Sequence, residues 1–323
     1  MQVDASGAVL LQGINIGYTQ NIAFTGGVFG RSDINTADWY IVRIDNSSNV
    51  SVSGASFQGN GDNHGSGLLV TGSSFVTVRD NQFHGHQTGL QMTLSQDSLV
   101  FGNRFTGSTS DGAQLISNSR VILAENSCSG FNPPAGGHPD CIQFFNTGGT
   151  LQSQIYVLNN RAVGRMQGIF AGGNPNQVIN IDFTIAGNYT EVTYPHGISC
   201  YGCINSLMEN NIAVSPFGPN HLSIIQYFGG SNNELGYNPI FDFRNVQNPV
   251  WPEQIWSYII PSIAGLVGSV HANRSYNSRM IAQSLDIGEE PVPEPATWVM
   301  LLMGFALVGR QLRRQGGPAH VLA

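Results

Sequence analysis

The chain has 323 residues, of which 41% are hydrophobic and only 10% are charged, against about 25% charged residues in an average globular protein. The hydrophobic content argues against a disordered chain, and 40 glycines with regular Val, Ile and Phe runs favour an all-β fold with many turns. All 13 basic residues are arginine and 20 residues are acidic, so the formal net charge of −7 disfavours a nucleic-acid partner.

One family of predicted strands recurs along the chain. Each member has alternating apolar residues, a Gly/Asn turn and an apolar residue that points back inward. The segments are 21–29, 49–57, 75–83, 98–105, 120–128, 154–162, 179–189 and 206–212. Their turn position falls at 27, 55, 81, 103, 126, 160, 188 and 211, and it holds Asn from Asn81 onward.

The turn position recurs after 22 to 34 residues, which predicts a right-handed parallel β-helix whose loops of variable length leave from one corner. Asn at one position of successive coils predicts a stacked amide ladder at the turn. A left-handed hexapeptide helix needs a shorter and stricter period. A β-sandwich gives turns about every 8–12 residues without such a column of identical residues.

The repeat resembles that of the pectin-lyase-like superfamily of right-handed β-helix proteins over roughly residues 10–230. The resemblance implies a function connected with carbohydrate, because the superfamily consists mostly of polysaccharide lyases, hydrolases and epimerases, with phage tailspikes and surface adhesins. We expect β-helix coils over 1–230, a C-terminal cap or irregular region over 231–290, and a sorting signal over 291–323.

A second family of apolar runs lies between the first. The runs are 67–70, 89–92, 112–115, 141–144, 168–170, 197–200 and 222–225. The residues that precede them are Ser66, Thr88, Asp111, Asp140, Gln167, His196 and His221. Because equivalent residues of successive coils stack about 4.8 Å apart, we predict a polar patch on the outer face around Asp140. Whether Gln143 lies on that face depends on a local bend at the start of the strand.

Two carboxylates one coil apart suit acid/base chemistry, because the charge of one keeps its neighbour protonated. The catalytic candidates are Asp111, His138, Asp140 and His196. The substrate-binding candidates are Gln114, Gln143, Arg165, Gln167, Tyr194 and His221. Solenoids also stack polar residues on solvated faces without function, so a purely structural interpretation stays open.

Segments 110–112, 139–142 and 195–199 partly resemble three elements of the polygalacturonase family of β-helix hydrolases. The chain departs from that family because Pro139 replaces one acidic residue and no lysine is present. A lyase or C5-epimerase would instead use a base and a group that neutralises a uronate, roles open to His138, His196, Tyr194 and Arg165. We predict no metal or cofactor, since the tight Asp cluster of calcium-dependent pectate lyases is lacking.

The predicted function is therefore that of an exported protein that acts on an extracellular polysaccharide as a lyase, hydrolase or C5-epimerase. The alternative is a non-catalytic surface or matrix protein that binds exopolysaccharide through the same face. Four cysteines are too few for a disulfide scaffold, and the lone pair Cys200 and Cys203 makes a zinc site improbable. We expect buried or locally bridged thiols.

The C-terminus closely resembles a PEP-CTERM sorting signal. Pro293, Glu294 and Pro295 precede a short apolar run, 298–308, and an arginine cluster. The run is shorter than the roughly 20 residues that span a bilayer, and the arginines favour a cytoplasmic end. The resemblance implies a Gram-negative bacterium, transient anchoring in the inner membrane and processing by an exosortase. Since 1–10 contain no signal peptide, we expect that the natural chain begins further upstream.

Overall fold

The computed structural model describes residues 1–10, 13–30, 40–61, 65–146, 150–172, 180–216, 223–238 and 240–242. All of them belong to one compact unit, Met1–Pro249. They form strands and turns, with no helix long and apolar enough to cross a membrane in this part of the chain. The predicted apolar segment 298–308, Pro293, Glu294 and Pro295 lie outside the described residues.

Three parallel sheets make up the described part of this unit, and successive coils add strands to each of them in turn. Sheet A contains β1 (Gln2–Asp4), β4 (Gln20–Thr25), β7 (Ser48–Ser53), β10 (Ser74–Arg79), β13 (Gln96–Phe101), β16 (Ser119–Ala124), β19 (Gln152–Leu158), β22 (Asn180–Ala186), β25 (Cys203–Ile204), β26 (Leu207–Glu209) and β29 (Glu234–Leu235). Sheet B contains β2 (Val9–Leu10), β5 (Val28–Gly30), β8 (Ser56–Gln58), β11 (Gln82–His84), β14 (Arg104–Thr106), β17 (Ser127–Ser129), β20 (Arg161–Gly164), β23 (Tyr189–Val192), β27 (Ile212–Ser215) and β30 (Ile240–Asp242). Sheet C contains β3 (Ile14–Gly17), β6 (Tyr40–Asp45), β9 (Ser66–Thr71), β12 (Thr88–Thr93), β15 (Ala113–Ile116), β18 (Asp140–Phe145), β21 (Gln167–Ala171), β24 (His196–Tyr201) and β28 (Ile224–Phe228).

This arrangement is the predicted right-handed parallel β-helix. The two families of sequence repeats correspond to the strands of sheets A and B and to those of sheet C. The coils continue beyond residue 230, because β29 pairs with β26 and β30 pairs with β27. The remainder of the expected cap, from 243 onward, lies outside the described residues.

The interior is filled by columns of apolar side chains from equivalent positions of successive coils. In sheet B, Phe29, Phe57, Phe83 and Phe105 stack with ring centroids 5.3, 4.6 and 5.0 Å apart. β-branched residues such as Val76 and Val78 fill the facing column of sheet A, where they are fully buried. Burying each such side chain contributes about 1.5–3 kcal/mol, so the columns are the main source of stability.

The turn from sheet A to sheet B carries the predicted asparagine ladder. Each side-chain amide donates to the Oδ1 of the next asparagine, over 2.8–3.0 Å, from Asn81 through 103, 126, 160, 188 and 211 to Asn238. The amides also satisfy backbone groups that the turn leaves unpaired, as when Asn103 donates to the carbonyl oxygen of Val78 over 2.8 Å. The prediction of a stacked amide ladder is therefore confirmed.

The turn from sheet B to sheet C places a glycine against the phenylalanine column. A Cβ atom at Gly89 would lie 2.5 Å from Cδ1 of Phe105, so no larger residue fits at that position. Two coils after Gly89 the glycine position holds Cys141, and in the same coil the phenylalanine position of Phe105 holds Cys128. They form a buried disulfide with a Cα–Cα distance of 5.5 Å, and Cys200 and Cys203 form another at 5.9 Å. The expectation of buried, locally bridged cysteines is confirmed.

Candidate functional site

The predicted site residues come together where sheet B turns into sheet C. The first residue of each sheet C strand forms a stacked column, in which Thr88 lies opposite Ser66 and Asp140 opposite Gln167. Asp111 joins it, because the amide of Gly112 donates to the carbonyl oxygen of Asp140 over 2.9 Å. The column thus runs from Ser66 through Thr88, Asp111, Asp140 and Gln167 to His196.

In the strands of sheet C, a local bend follows the residue that belongs to this column. It places the outward-facing residue three positions further along the strand beside the column. Cys141 and Ile142 both face the core, so the alternation of the strand is broken directly after Asp140. As a result the side-chain amide of Gln114 donates to Oδ2 of Asp111, and Nδ1 of His196 lies 2.8 Å from Oγ of Ser199. The placement of Gln143, which the sequence left open, is therefore on the outer face, 3.4 Å from Gln114.

The two carboxyl groups are adjacent, but they are buried. Oδ1 of Asp111 accepts a 2.8 Å hydrogen bond from the backbone N–H of Asp140. Asp111 is 2% exposed and Asp140 is 0% exposed. The sequence predicted Asp111, Asp140 and Gln167 in a patch on the outward face, and the structure corrects this because all three side chains are buried.

The environments of the two carboxyl groups differ. Burial raises the pKa of Asp111, but hydrogen bonds from Asp140 and Gln114 act in the opposite direction. Burial and the adjacent Asp111 raise the pKa of Asp140 well above its usual value of 3.8. Neither carboxyl oxygen of Asp140 has a hydrogen-bond partner among the described residues, nor does Oε1 of Gln167. The protonated form is therefore favoured more strongly at Asp140 than at Asp111, and Asp111 is the better anion of the pair.

The loop that ends at Pro139, directly before Asp140, is held by hydrogen bonds to the next two coils. The backbone N–H of Gln167 donates to the carbonyl oxygen of Pro139 over 2.7 Å, and the hydroxyl of Tyr194 donates to that of Gly137 over 2.8 Å. His138 is exposed on this loop, and Arg165 is exposed one coil further along. The sequence predicted Tyr194 as a substrate-binding residue. In the structure its hydroxyl holds the loop before Asp140 through this hydrogen bond.

The half-buried His196 faces the same region from the far side. Burial, followed by the proximity of His138, lowers the pKa of His196, which favours the neutral imidazole. Its ring packs on Phe170 with centroids 4.8 Å apart. His221 lies outside the described residues.

The outer face of sheet C continues from the column as a strip of amide, hydroxyl and aromatic side chains. The strand register stacks them in the order Gln91, Gln114, Gln143, Phe170, Ser199 and Gln226. We call these six residues the amide–aromatic strip. Beside it, Tyr201 lies 5.3 Å from Phe170 and 5.0 Å from Phe228, centroid to centroid. Phe228 is 51% exposed, and Phe170 and Tyr201 are half-buried.

Sequence reasoning did not select these aromatic residues. The available signal was their place at outward positions of sheet C strands, three to five residues after the first residue of the strand, but the bend that sets this spacing was not known. Among the described residues, no group of three or more His, Cys, Asp or Glu side chains is placed to hold a metal ion.

Comparison with known proteins identifies two segments. A family model described as a right handed beta helix region matches residues 12–188, and one for the PEP-CTERM protein-sorting motif matches residues 291–315. No curated protein sequence matches the chain.

Several solved structures share the fold. PfbA, a surface adhesin of Streptococcus pneumoniae, is 13% identical with a TM-score of 0.51, over 72% of this chain and 70% of its own. DFA-IIIase from Arthrobacter chlorophenolicus A6 without its lid is 13% identical with a TM-score of 0.49, over 70% of this chain and 59% of its own. The catalytic domain of a GH87 alpha-1,3-glucanase is 15% identical with a TM-score of 0.43, over 74% of this chain and 41% of its own. The match therefore covers less than two thirds of either enzyme structure, and at these identities the likeness concerns the fold.

Proposed function

Since the chain belongs to the right-handed β-helix family and carries a PEP-CTERM protein-sorting motif, we propose that it is an exported surface protein that binds extracellular polysaccharide along sheet C. The amide–aromatic strip carries this proposal. Aromatic rings provide apolar faces that a sugar ring can pack against, and side-chain amides both donate to and accept from hydroxyl groups. Successive amides stand about 4.8 Å apart along the strip, so an extended chain can contact several coils at once.

The buried carboxyl pair favours binding over catalysis. A general acid or base must come within hydrogen-bond reach of the reacting atom, directly or through one water molecule. Asp140 is 0% exposed, and two hydrogen bonds to backbone carbonyl oxygens hold the loop that directly precedes it. In the strip, in contrast, solvent reaches the side chains of Gln91, Gln114, Gln143, Phe170 and Gln226, whereas Ser199 is buried.

Binding is tested by affinity electrophoresis of the purified β-helix unit through gels that contain single polysaccharides. Phe170→Ala removes the aromatic residue at the centre of the strip, and Gln82→Ala is the matched control on the outer face of sheet B. We expect at least one polysaccharide to retard the wild type, and we expect Phe170→Ala to weaken that retardation about five-fold or more. Equal mobility of all three proteins in every gel would exclude the proposal.

A second candidate function is catalysis by the adjacent carboxyls. The contrast between Asp111, which accepts several hydrogen bonds, and the unpartnered Asp140 is the observation that favours it. In this role Asp140 donates a proton, Asp111 acts as the anion, and His138 and His196 exchange protons with solvent. The reaction is then a hydrolysis, elimination or C5-epimerisation of the bound glycan. Chromatography of reaction products from the wild type and Asp140→Asn tests it, and identical product profiles would end the catalytic claim.

The PEP-CTERM motif indicates export and sorting to the cell surface. We propose further that an exosortase of a Gram-negative bacterium processes the chain near Pro293, Glu294 and Pro295, after the following apolar segment has held it transiently in the inner membrane. Mass spectrometry of the surface-bound protein from an exosortase-containing host should find a C-terminus close to Pro295. An intact C-terminus at Ala323 on the surface protein would contradict this processing.

A further inference from the structure

The composition of the amide–aromatic strip restricts the class of glycan. We infer that the polysaccharide bound along sheet C is uncharged, an inference that rests on the proposed function. Uronate polymers and sulfated glycans carry an anionic group on most sugar units, and proteins bind such groups with arginine or lysine, often through paired hydrogen bonds. An uncharged glycan instead presents hydroxyl groups and apolar ring faces.

Charged side chains are nearly lacking on the outer face of sheet C. The six strip residues are uncharged, as are the outward residues of the neighbouring column from Thr71 to Phe228. Among the described residues of these two columns, the charged side chains are Arg43 and Asp45, and the guanidinium of Arg43 lies 3.0 Å from the carboxylate of Asp45. Arg43 is therefore already neutralised, and it stands at the N-terminal end of the sheet, three coils before Gln114.

The surroundings of the strip do not favour an anion either. The lowered pKa of His196 leaves its imidazole neutral above its ordinary titration range. Asp111 contacts Gln114 directly, so an incoming carboxylate next to that amide would meet a carboxyl group. Arg165 is exposed on the turn before β21, but one arginine cannot match a chain that carries a charge on each sugar. The formal charge of the whole chain, −7, adds a repulsive background.

The chemistry of the strip matches hydroxyl groups. Each glutamine offers two N–H donors and one carbonyl acceptor, and a hydroxyl both donates and accepts. Phe170 within the strip, and Tyr201 and Phe228 beside it, supply apolar surface, with Phe170 between Gln143 and Ser199 in the register. Such a surface needs no counter-charge, so its affinity does not depend strongly on salt.

Two sets of polysaccharide probes distinguish the alternatives. The uncharged set is laminarin, dextran, galactomannan and inulin, and the anionic set is polygalacturonate, alginate and hyaluronate. Dissociation constants are measured by isothermal titration calorimetry on the β-helix unit in 50 mM and in 500 mM NaCl, roughly the range over which screening removes surface attraction. We expect one or more uncharged polysaccharides to bind, with less than about a two-fold change between the two salt concentrations.

Variants connect the result to the strip. Gln143→Ala and, separately, Phe170→Ala should each weaken binding of the uncharged polysaccharide about five-fold or more, while Gln82→Ala on sheet B should not change it. Thermal unfolding of each variant verifies that it is folded. Binding of anionic probes alone, lost at 500 mM NaCl, would overturn the uncharged class and leave the proposed function standing. Failure of every probe to bind would overturn both.

Discussion

The buried polar columns at two corners of the β-helix differ in how well their polar atoms are paired. At the corner between sheets A and B, the amides from Asn81 to Asn238 repeat one side chain in one geometry, and each bonds to the next. At the corner between sheets B and C, the equivalent column changes residue at nearly every coil. There Asp140, Gln167 and His86 each have a buried polar atom without a partner among the described residues.

The difference distinguishes buried polar groups that stabilise the fold from buried polar groups that remain available for another role. A buried polar group that is fully hydrogen-bonded stabilises the fold, whereas an unpaired one costs free energy. The asparagine ladder holds the turn together and leaves no group available to a ligand. The unpaired polar atoms at the second corner reduce the stability of the fold. This corner is next to the surface on which we place glycan binding. Three predictions test this contrast, in order of the expected effect.

The largest effect should come from breaking the ladder with Asn126→Ala. Asn126 is 1% exposed, its amide donates to Val100 and Asn160 over 3.0 Å, and its Oδ1 accepts from both nitrogens of Asn103 over 3.0 Å. Removing four buried hydrogen bonds should lower the free energy of unfolding by about 3–5 kcal/mol. Urea denaturation measures the change, and the exposed Asn132→Ala is the control. A decrease in the free energy of unfolding of less than about 1 kcal/mol would contradict the stabilising role of the ladder, and with it the distinction between the two corners.

The second prediction concerns His86 at the corner between sheets B and C. Burial lowers the pKa of His86 to about 4, whereas histidine in an unfolded chain titrates near about 6.5. Between these values the unfolded state binds more protons, so the stability that neutral His86 provides is complete above pH 6.5 and is lost as the pH falls toward 4, by up to about 3 kcal/mol.

His86→Gln should lack this part of the pH dependence. The free energy of unfolding of wild type and variant is compared at pH 7.5, 6, 5 and 4. His84→Gln, on the exposed side chain two residues earlier, is the matched control and should retain the wild-type slope. Parallel curves for all three proteins would show that His86 is not held neutral.

The smallest effect should come from Asp140→Asn, and it should be stabilising. Since the pKa of Asp140 is raised well above 3.8 in the folded state, the folded state binds more protons than the unfolded state above pH 3.8. The wild type therefore loses stability as the pH rises through this range, and the variant does not. At pH 8 the variant should be more stable by at least about 1 kcal/mol, and at pH 3.5 the difference should largely vanish.

The exposed Asp80→Asn serves as the control for Asp140→Asn, because it removes one acidic charge without a change in burial. Its unfolding free energy should follow that of the wild type at both pH values. Destabilisation of Asp140→Asn at pH 8 would indicate that Asp140 is ionised and stabilising, which contradicts the assignment of the proton to Asp140.

The repeat itself was predictable from the sequence. Asn103 and its equivalents, the alternation of Val76 and Val78, and the positions of the glycines determine a β-helix, because each coil must reproduce the same inward and outward pattern to stack on the next. The sorting motif was predictable for a similar reason, since it is read as a local string. For the candidate site, the sequence predicted only which residues lie next to one another. Asp111, Asp140 and His196 do lie together, but register says nothing about how deeply a side chain is covered.

What the tertiary structure decided is the direction and the burial of each side chain in that set. The sequence places Asp140 at the start of a strand. The bend after it, where Cys141 and Ile142 both face the core, puts Asp140 on the outer side with Gln143. Asp140 is nevertheless fully buried, next to a loop that Tyr194 and Gln167 hold. The sequence thus determined the repeat because stacking is periodic, whereas burial at the corner depends on loops of unequal length, which no period describes.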